Sequence, residues 1–571
     1  MKRLMFVGFL SVMYASAAPG APPPYVPETP IAGKIGTAVR DCRQSDKWTV
    51  PVITWGADEV AIQANGGQHT TPNSVFASKH LDITLQRRDD FLQQVQAYMS
   101  CDSPFLRATL GMAAQVADLT EADPRTRMVA IYQHSWSAGG DVWVARENIR
   151  QPADLRGKTI VVQRYGPHVD YLLKVLADAG LTPADVAIRF TNDLTGVNVA
   201  TPVAALRNDS TVDAVVVISP DAATLTSDGK GGTGADGSVK GAHILLSTAK
   251  ANRIITDIYF VRRDFYDANK AKLTAFSQGL LEAETAVRAM AQAKGPDWNS
   301  LMHLSGKILL DDESNITDAA GMWGDAETTG KAGNLKFFTD QNEPRNFANV
   351  SREVQSELLN AGYISVNHML APADWDWKAV TGLSGTVVDL PKFDPAAMSR
   401  AVGNSYAHGT VNDDTLFSLD VHFKPSQMNF PAADYATEFA RIVNLAKTYG
   451  GAVITVEGHA DPLGYLDTLQ AMENTPSAAD TLTLRRKVQA GRNLSIQRAE
   501  AVRDAVMAAA AADGHPLDPS QFDVVGLGYD DPVTGMCGDR PCRPKNQQEW
   551  LSNMLVRFRV MNVQAEASGF H

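Results

Sequence analysis

Three apolar runs in this chain end in polar side chains suited to meeting a small molecule. Thr159–Gln163 leads into Arg164-Tyr165-Gly166-Pro167-His168, Ala187–Phe190 into Thr191-Asn192-Asp193, and Ala214–Ile218 into Ser219-Pro220-Asp221. As strands of one parallel sheet, they would place all three groups at its carboxyl edge, where open α/β sheets bind ligands. The helix expected after His168 would add backbone N–H groups and a dipole that favour an anion. Asp170, in the first turn of that helix, opposes one. The alternative for each group is a turn without a ligand.

Arg498 raises a second question of chemistry. Ser495 reads as the N-cap of a helix with Ile496, Ala499, Val502, Val506 and Ala509 on its buried stripe. Arg498 then falls in the first turn, where a cation costs about 0.3–1 kcal/mol against the dipole. The position makes sense if Arg498 joins the free N–H groups in holding an anion. The alternative is a solvated arginine or one paired with a nearby carboxylate. No nucleophile elbow, H-E-x-x-H or phosphate loop occurs, and His69, His134 and His168 stand singly. The expectation is a protein that is not an enzyme, with no cofactor, no metal and no catalytic residue.

The elements that must carry these residues are legible as patterns. A turn at Asp154–Lys158 precedes the strand Thr159–Gln163. A helix follows with Val169, Leu172, Leu173, Leu176 and Ala177 on one face, ended by Gly180, and then the strand Ala187–Phe190. This is a βαβ unit, so its strands are parallel. Strands and helices alternate through residues 46–367, and residues 368–410 read as a linker. In residues 411–565 a strand Leu416–Phe423, a helix Tyr435–Tyr449 and a strand Ala452–Glu457 lead into Gly458-His459-Ala460-Asp461. The helix after Ser495 and strands at Phe522–Gly528 and Leu555–Val560 follow.

The whole chain has 571 residues, so two to four domains are expected at about 150 residues each. Hydrophobic residues make up 44% and charged residues 20%, which excludes a mostly disordered chain. A net charge of -12 argues against a nucleic-acid partner and against an anionic membrane surface. Residues 1–18 read as a secretory signal, basic then apolar and closing on Ala15-Ser16-Ala17, and residues 19–45 as a Pro-rich spacer. No later apolar run reaches the length of a membrane span. Export allows disulfides: Cys537 and Cys542 would close a small loop, leaving Cys42 and Cys101 to pair.

Two resemblances then enter. "QPADLRGKTIVVQRYGPHVDYLLKVLADAGLTPADVAIRF", "VDAVVVISPDAA", "ITDIYFVRRDFYDANKAKLTAF", "VPVITWGADEVAIQANGG" and "LDITLQRRDDFLQQVQAYMSCDSPF" resemble periplasmic solute-binding proteins of the sulfonate, nitrate and thiamine-precursor type. The resemblance implies two α/β lobes that close by a hinge on a solute, with the chain leaving the first lobe near Arg146 and returning near Ile255. It implies a cleft lined by Trp55, Thr109, Tyr165, Gly166, His168, Asp193 and Asp221, and an ABC transporter permease as a further partner. "GHADPLG", "NLSIQRAEAVRDAVM" and "FDVVGLGYDDPV" resemble the OmpA-type peptidoglycan-binding domain. That family holds the diaminopimelate of the stem peptide with an Asp and an Arg, here Asp461 and Arg498, and Asn553 also matches. A bidentate arginine for the carboxylate and an aspartate for the ammonium would recognise a zwitterion.

The chain departs from that family in two places. Asp461 and Arg498 are 37 residues apart, so Tyr465–Gly491 is expected to loop out, and Met554-Leu555 stands where the family has two arginines. The expected fold is therefore α/β: a two-lobed periplasmic binding protein fold followed by a smaller α+β OmpA-like domain of βαβαβ type. The expected function is a periplasmic protein, tethered to peptidoglycan and associated with the outer membrane, that binds a small solute. The alternatives are a structural envelope protein with a ligand-free cleft, or an enzyme on the binding-protein fold.

Overall fold

Apolar runs too short and too branched for helices become the strands of two separate sheets, and the chain passes between the sheets twice. The structure, a computed structural model, describes residues 22–27, 30–36, 38–42, 46–195, 200–235, 237–383, 393–422, 430–474 and 478–562. The expected signal at 1–18 lies outside the described residues.

The first lobe opens with β1 (Lys47–Val52), β2 (Asp82–Arg87), β3 (Phe105–Thr109), the short helix α1 (Leu110–Gln115) and β4 (Met128–Ser137). The chain crosses at Ala138–Gly140 into β5 (Asp141–Ala145), β6 (Thr159–Gln163), α2 (His168–Asp178), β7 (Ala187–Thr191), β8 (Ala214–Ile218), α3 (Ser219–Thr226) and β9 (His243–Ser247). It returns to β10 (Thr256–Arg262), the long α4 (Arg263–Ala293), β11 (Ala326–Thr328), α5 (Phe347–Asn360) and β12 (Ala371–Pro372). The first sheet has the order β11-β4-β10-β3, with β12 added on β4 and β1-β2 as a separate parallel pair. The second has the order β7-β6-β8-β5-β9. β6 is parallel to β7 and β8, as the βαβ pattern requires, and β5 runs antiparallel to β8 and β9. The first crossing thus comes one strand earlier than the expected exit near Arg146, because Asp141–Ala145 hydrogen-bonds into the second sheet.

The C-terminal unit comprises α6 (Pro395–His408), β13 (Thr415–His422), α7 (Ala436–Thr448), β14 (Val453–His459), α8 (Leu463–Asn474), α9 (Ala478–Ala512), β15 (Phe522–Gly528), the hairpin strands β16 (Met536–Cys537) and β17 (Arg540–Pro541), α10 (Gln547–Ser552) and β18 (Leu555–Met561). Its sheet has the order β13-β18-β14-β15, with β14 parallel to β15 and β18 antiparallel to both its neighbours. Cys42–Cys101 and Cys537–Cys542 are bridged as expected.

Three segments depart from expectation. Part of the 19–45 spacer is packed: Val26 N donates to Phe190 O on β7, the Tyr25 hydroxyl donates to Asp209, and Ile31 is buried. Residues 368–383 and 393–410 of the expected linker are not a free chain. Ala371–Pro372 joins β4, and Trp377 stacks on Phe338 with centroids 4.1 Å apart, because an aromatic of that size gains more by packing than by solvation. The described residues of Tyr465–Gly491 do not loop out; they form most of α8 and the first turns of α9.

The C-terminal unit is docked on the rest. A single apolar cluster runs from Leu176 on α2 and Val354 on α5 into Phe417, Ile442 and Tyr449. The Tyr449 hydroxyl donates to Asp178 Oδ2 at 2.9 Å, and Gly451 N donates to Lys250 O. A Cβ on Gly451 would fall 1.9 Å from the Ala249 carbonyl oxygen, so only glycine permits this approach.

Candidate functional site

The two crossings bring α2 of the second lobe against α1 of the first, and Ser219 of α3 against Asp325, and charged side chains gather there. Arg107 on β3 is wholly buried and clasped by Asp58 (Nη2–Oδ2 2.7 Å) and Asp257 (Nη1–Oδ1 2.6 Å). Burial alone would lower its pKa, but the carboxylates of Asp257 and Asp58 override that and raise it. Asp257 Oδ2 accepts the Ser135 hydroxyl at 3.1 Å, and Ser135 Oγ accepts Trp55 Nε1 at 3.0 Å. Trp55 is thereby fixed with its ring against Gly140 at the crossing, where a Cβ would stand 2.5 Å from a ring carbon.

Acids gather where the two lobes meet. His168 opens α2, and its Nε2 lies 2.6 Å from Asp141 Oδ1 at the start of β5. Two residues on, in the same first turn, the Asp170 carboxyl stands against Gly111 of α1, so near that a Cβ there would lie 2.1 Å away. Burial pushes Asp170 up to about 8, and the Asp141 and Asp257 carboxylates add to the rise. The Ser219 hydroxyl donates to Asp325 Oδ2 at 2.7 Å, and Ser219 N donates to the Gly140 carbonyl. Burial also raises Asp325, against the Ser219 bond, and raises Asp221, against the pull of His168.

Of the residues expected in the cleft, Trp55, His168 and Asp221 belong to this cluster, and four do not. The Thr109 hydroxyl caps α1 by accepting Met112 N at 3.1 Å, and it is buried. Tyr165 adopts a φ of +63° and is 7% exposed; the Arg164 guanidinium lies 4.3 Å from its ring centre and also faces Phe190 and Tyr363. This surround is aromatic core, and Tyr165 packs within it. Gly166 is buried beside the Gln163 side chain. Asp193 accepts Asn192 Nδ2 at the end of β7, an edge strand two places from β8. Sequence reasoning missed Asp141, Asp325 and Ser135, whose neighbourhoods carry no motif. The His168–Asp141 contact shows that His168 is not a lone histidine.

The second constellation lies at the end of β14. Asp461 is half-buried, and Arg498 on α9 is 6% exposed. Burial raises Asp461, against the Trp550 and Leu463 N–H groups, and lowers Arg498; each charge offsets the penalty on the other. Beside them Leu463, Pro544, Lys545, Asn546, Gln547 and Trp550 line a cavity of about 270 Å³. The Tyr529 ring stacks on Tyr465 with centroids 5.3 Å apart, tying α8 to the end of β15.

The device that positions Arg498 differs from the expected one. Ser495 is not an N-cap but sits inside α9, its hydroxyl donating to Arg492 O at 2.8 Å and accepting Gly528 N at 3.0 Å. Arg498 therefore owes its place to helix-on-strand packing, and no free first-turn N–H groups assist it. Arg485 and Arg486 are exposed and lie about 20 Å back along the helix, too far to share its partner. Asn553 is wholly buried: its Oδ1 accepts Thr534 N at 3.1 Å and its Nδ2 donates to Thr534 Oγ1. It clamps the loop that carries the Cys537–Cys542 bridge. Met554 and Leu555, which replace the expected arginines, are buried in the core.

The family model described as "NMT1/THI5 like" matches residues 74–292. Among solved structures, the chain is similar to the periplasmic aliphatic sulphonate binding protein of Escherichia coli, at 14% identity over 61% of this chain and 96% of that one, with a TM-score of 0.39. It is similar to the periplasmic nitrate-binding protein of Synechocystis PCC 6803, at 14% identity over 60% and 86%, with a TM-score of 0.39. It is also similar to a protein described as a desulfurization enzyme, at 14% identity over 57% and 94%, with a TM-score of 0.36. No curated protein matches it.

Proposed function

We propose that this chain is a periplasmic solute-binding protein whose C-terminal unit holds it to peptidoglycan. The observation that carries the first half is the double crossing at Ala138–Gly140 and between β9 and β10, which leaves two lobes meeting across Trp55, Asp141, His168, Asp221 and Asp325. A cleft built from both lobes, with the hinge at the crossings, is the arrangement that captures a small molecule by closure. The match of residues 74–292 to the NMT1/THI5-like family supports this reading. Release to a membrane transporter would follow from reopening. Native mass spectrometry of the protein from a periplasmic extract tests it. A stoichiometric adduct lost on denaturation supports solute binding; a clean apo mass that no solute mixture shifts would leave a wall-attached structural protein.

The second half is supported by Asp461 and Arg498, opposite charges brought together across 37 residues beside a cavity. Diaminopimelate offers an ammonium for Asp461 and a carboxylate for Arg498. Sedimentation with purified sacculi is expected to retain the wild-type chain. The Asp461→Ala/Arg498→Ala pair is expected to stay in the supernatant, and undiminished retention of that pair would remove the assignment.

A further inference from the structure

The cleft between the lobes is strongly one-signed. Asp141, Asp170, Asp221 and Asp325 share one electrostatic neighbourhood: Asp141 acts on both Asp170 and Asp325, and His168 acts on Asp221. The guanidinium that stands behind them, Arg107, is already neutralised by Asp58 and Asp257. An anion entering here would meet the carboxylates of Asp141, Asp221 and Asp325, with His168 the cation among them and Asp170 protonated, and like charges at a site of low dielectric repel strongly. Sulfonate and nitrate are therefore poor occupants.

Two further observations point to a ligand. Asp170 is 1% exposed, and its Oδ1, held at the lobe boundary against Gly111, has no hydrogen-bond partner. Asp221 Oδ2 is likewise a buried acceptor without a donor. Such acceptors cost free energy unless a donor reaches them, and an ammonium supplies three. The face of Trp55, locked by Ser135 and Gly140, stands at the same boundary and suits a cation or its carbon frame. Among the described residues no three His, Cys, Asp or Glu side chains converge as a metal site, which favours an organic cation over a bare ion.

We propose that the solute is a small organic cation carrying a protonated amine, held by Asp221 and Asp325 with Trp55 packed on its carbon frame. This rests on the reading of the chain as a solute-binding protein. Isothermal titration of the full-length mature protein with putrescine, ethanolamine and choline, and separately with ethanesulfonate and nitrate, tests it. At least one amine is expected to bind at one site per chain, and the two anions are expected to give no heat of binding. Asp221→Asn and Asp325→Asn are each expected to weaken the amine by about tenfold or more, the range for losing a close charge pair. Trp55→Leu is a further variant, expected to weaken amine binding without a change of charge, and thermal melts establish that each variant is folded. Saturable binding of ethanesulfonate or nitrate without the amines would overturn the cation assignment and leave solute binding standing. Amine binding unchanged in both aspartate variants would overturn the site. Silence from every probe with a folded protein would overturn both readings.

Discussion

Asp170 and Glu357 are carboxyl groups that folding forces to keep their protons. Burial pushes Asp170 from 3.8 up to about 8 beside Asp141 and Asp257. Glu357 rises from 4.5 to about 9, through burial first and Glu353 second, against the pull of Lys174. The folded chain holds these protons between roughly pH 4 and 9, where the unfolded chain has released them, so stability falls as pH rises through that window. The cost reaches on the order of a few kcal/mol above the folded values. Urea melts at pH 5, 7 and 9 are expected to show this decline, and the Asp170→Asn and Glu357→Gln variants are expected to flatten it. Ser495→Ala tests a different residue. Loss of its hydroxyl leaves the buried Gly528 N–H without its acceptor, a cost of about 1–3 kcal/mol measurable as a lower urea midpoint.

At the scale of elements, the helical segment between Asp461 and Arg498 wraps the candidate wall site rather than leaving it. Arg540 pairs with Glu473 at 2.6 Å and Arg543 pairs with Asp467, so the disulfide hairpin is tied to α8 by two bridges. Both pairs are exposed and contribute little each. The bridge between Cys537 and Cys542 closes a short loop and is worth about 2 kcal/mol by the chain-entropy argument. The Cys537→Ser/Cys542→Ser variant is expected to melt a few degrees lower and to show weaker retention on sacculi, because Lys545 and Trp550 follow directly from that hairpin. Equal retention by the variant and the wild type would separate the hairpin from the site.

At the scale of the whole molecule, α2 joins the two candidate sites' supporting structures. Its first turn carries His168 and Asp170 at the cleft, and its last turn carries Lys174 and Asp178, which meet Glu353 of α5 and Tyr449 of the C-terminal unit. The shared apolar cluster across this junction makes the unit part of one cooperative body. Calorimetry is expected to give a single unfolding transition. Gly451→Val, which drives a side chain into the Ala249 carbonyl, is expected to split it in two. A single transition at unchanged temperature in that variant would show that the docking contributes nothing to stability.

Local periodicity by itself determined much of this protein. Thr159–Gln163, Ala214–Ile218 and Phe522–Gly528 are strands with the bounds their apolar runs imply, since a run of branched residues has few other stable forms. The parallel β6–α2–β7 unit and the pairing of Cys537 with Cys542 were legible for the same reason: the partners are close in sequence. Tertiary structure decided what depended on distant partners. Ser495 carries a cap signature, yet a helix runs through it because its hydroxyl finds Gly528 and its backbone packs on Gly458. Tyr165 enters the expected cleft only through the family resemblance, and its packing among Arg164, Phe190 and Tyr363 depends on partners far along the chain. Asp141 and Asp325 carry no local signal, because Asp141 meets His168 only once β5 packs beside α2, and Asp325 meets Ser219 only once the two crossings bring opposite lobes within hydrogen-bond reach.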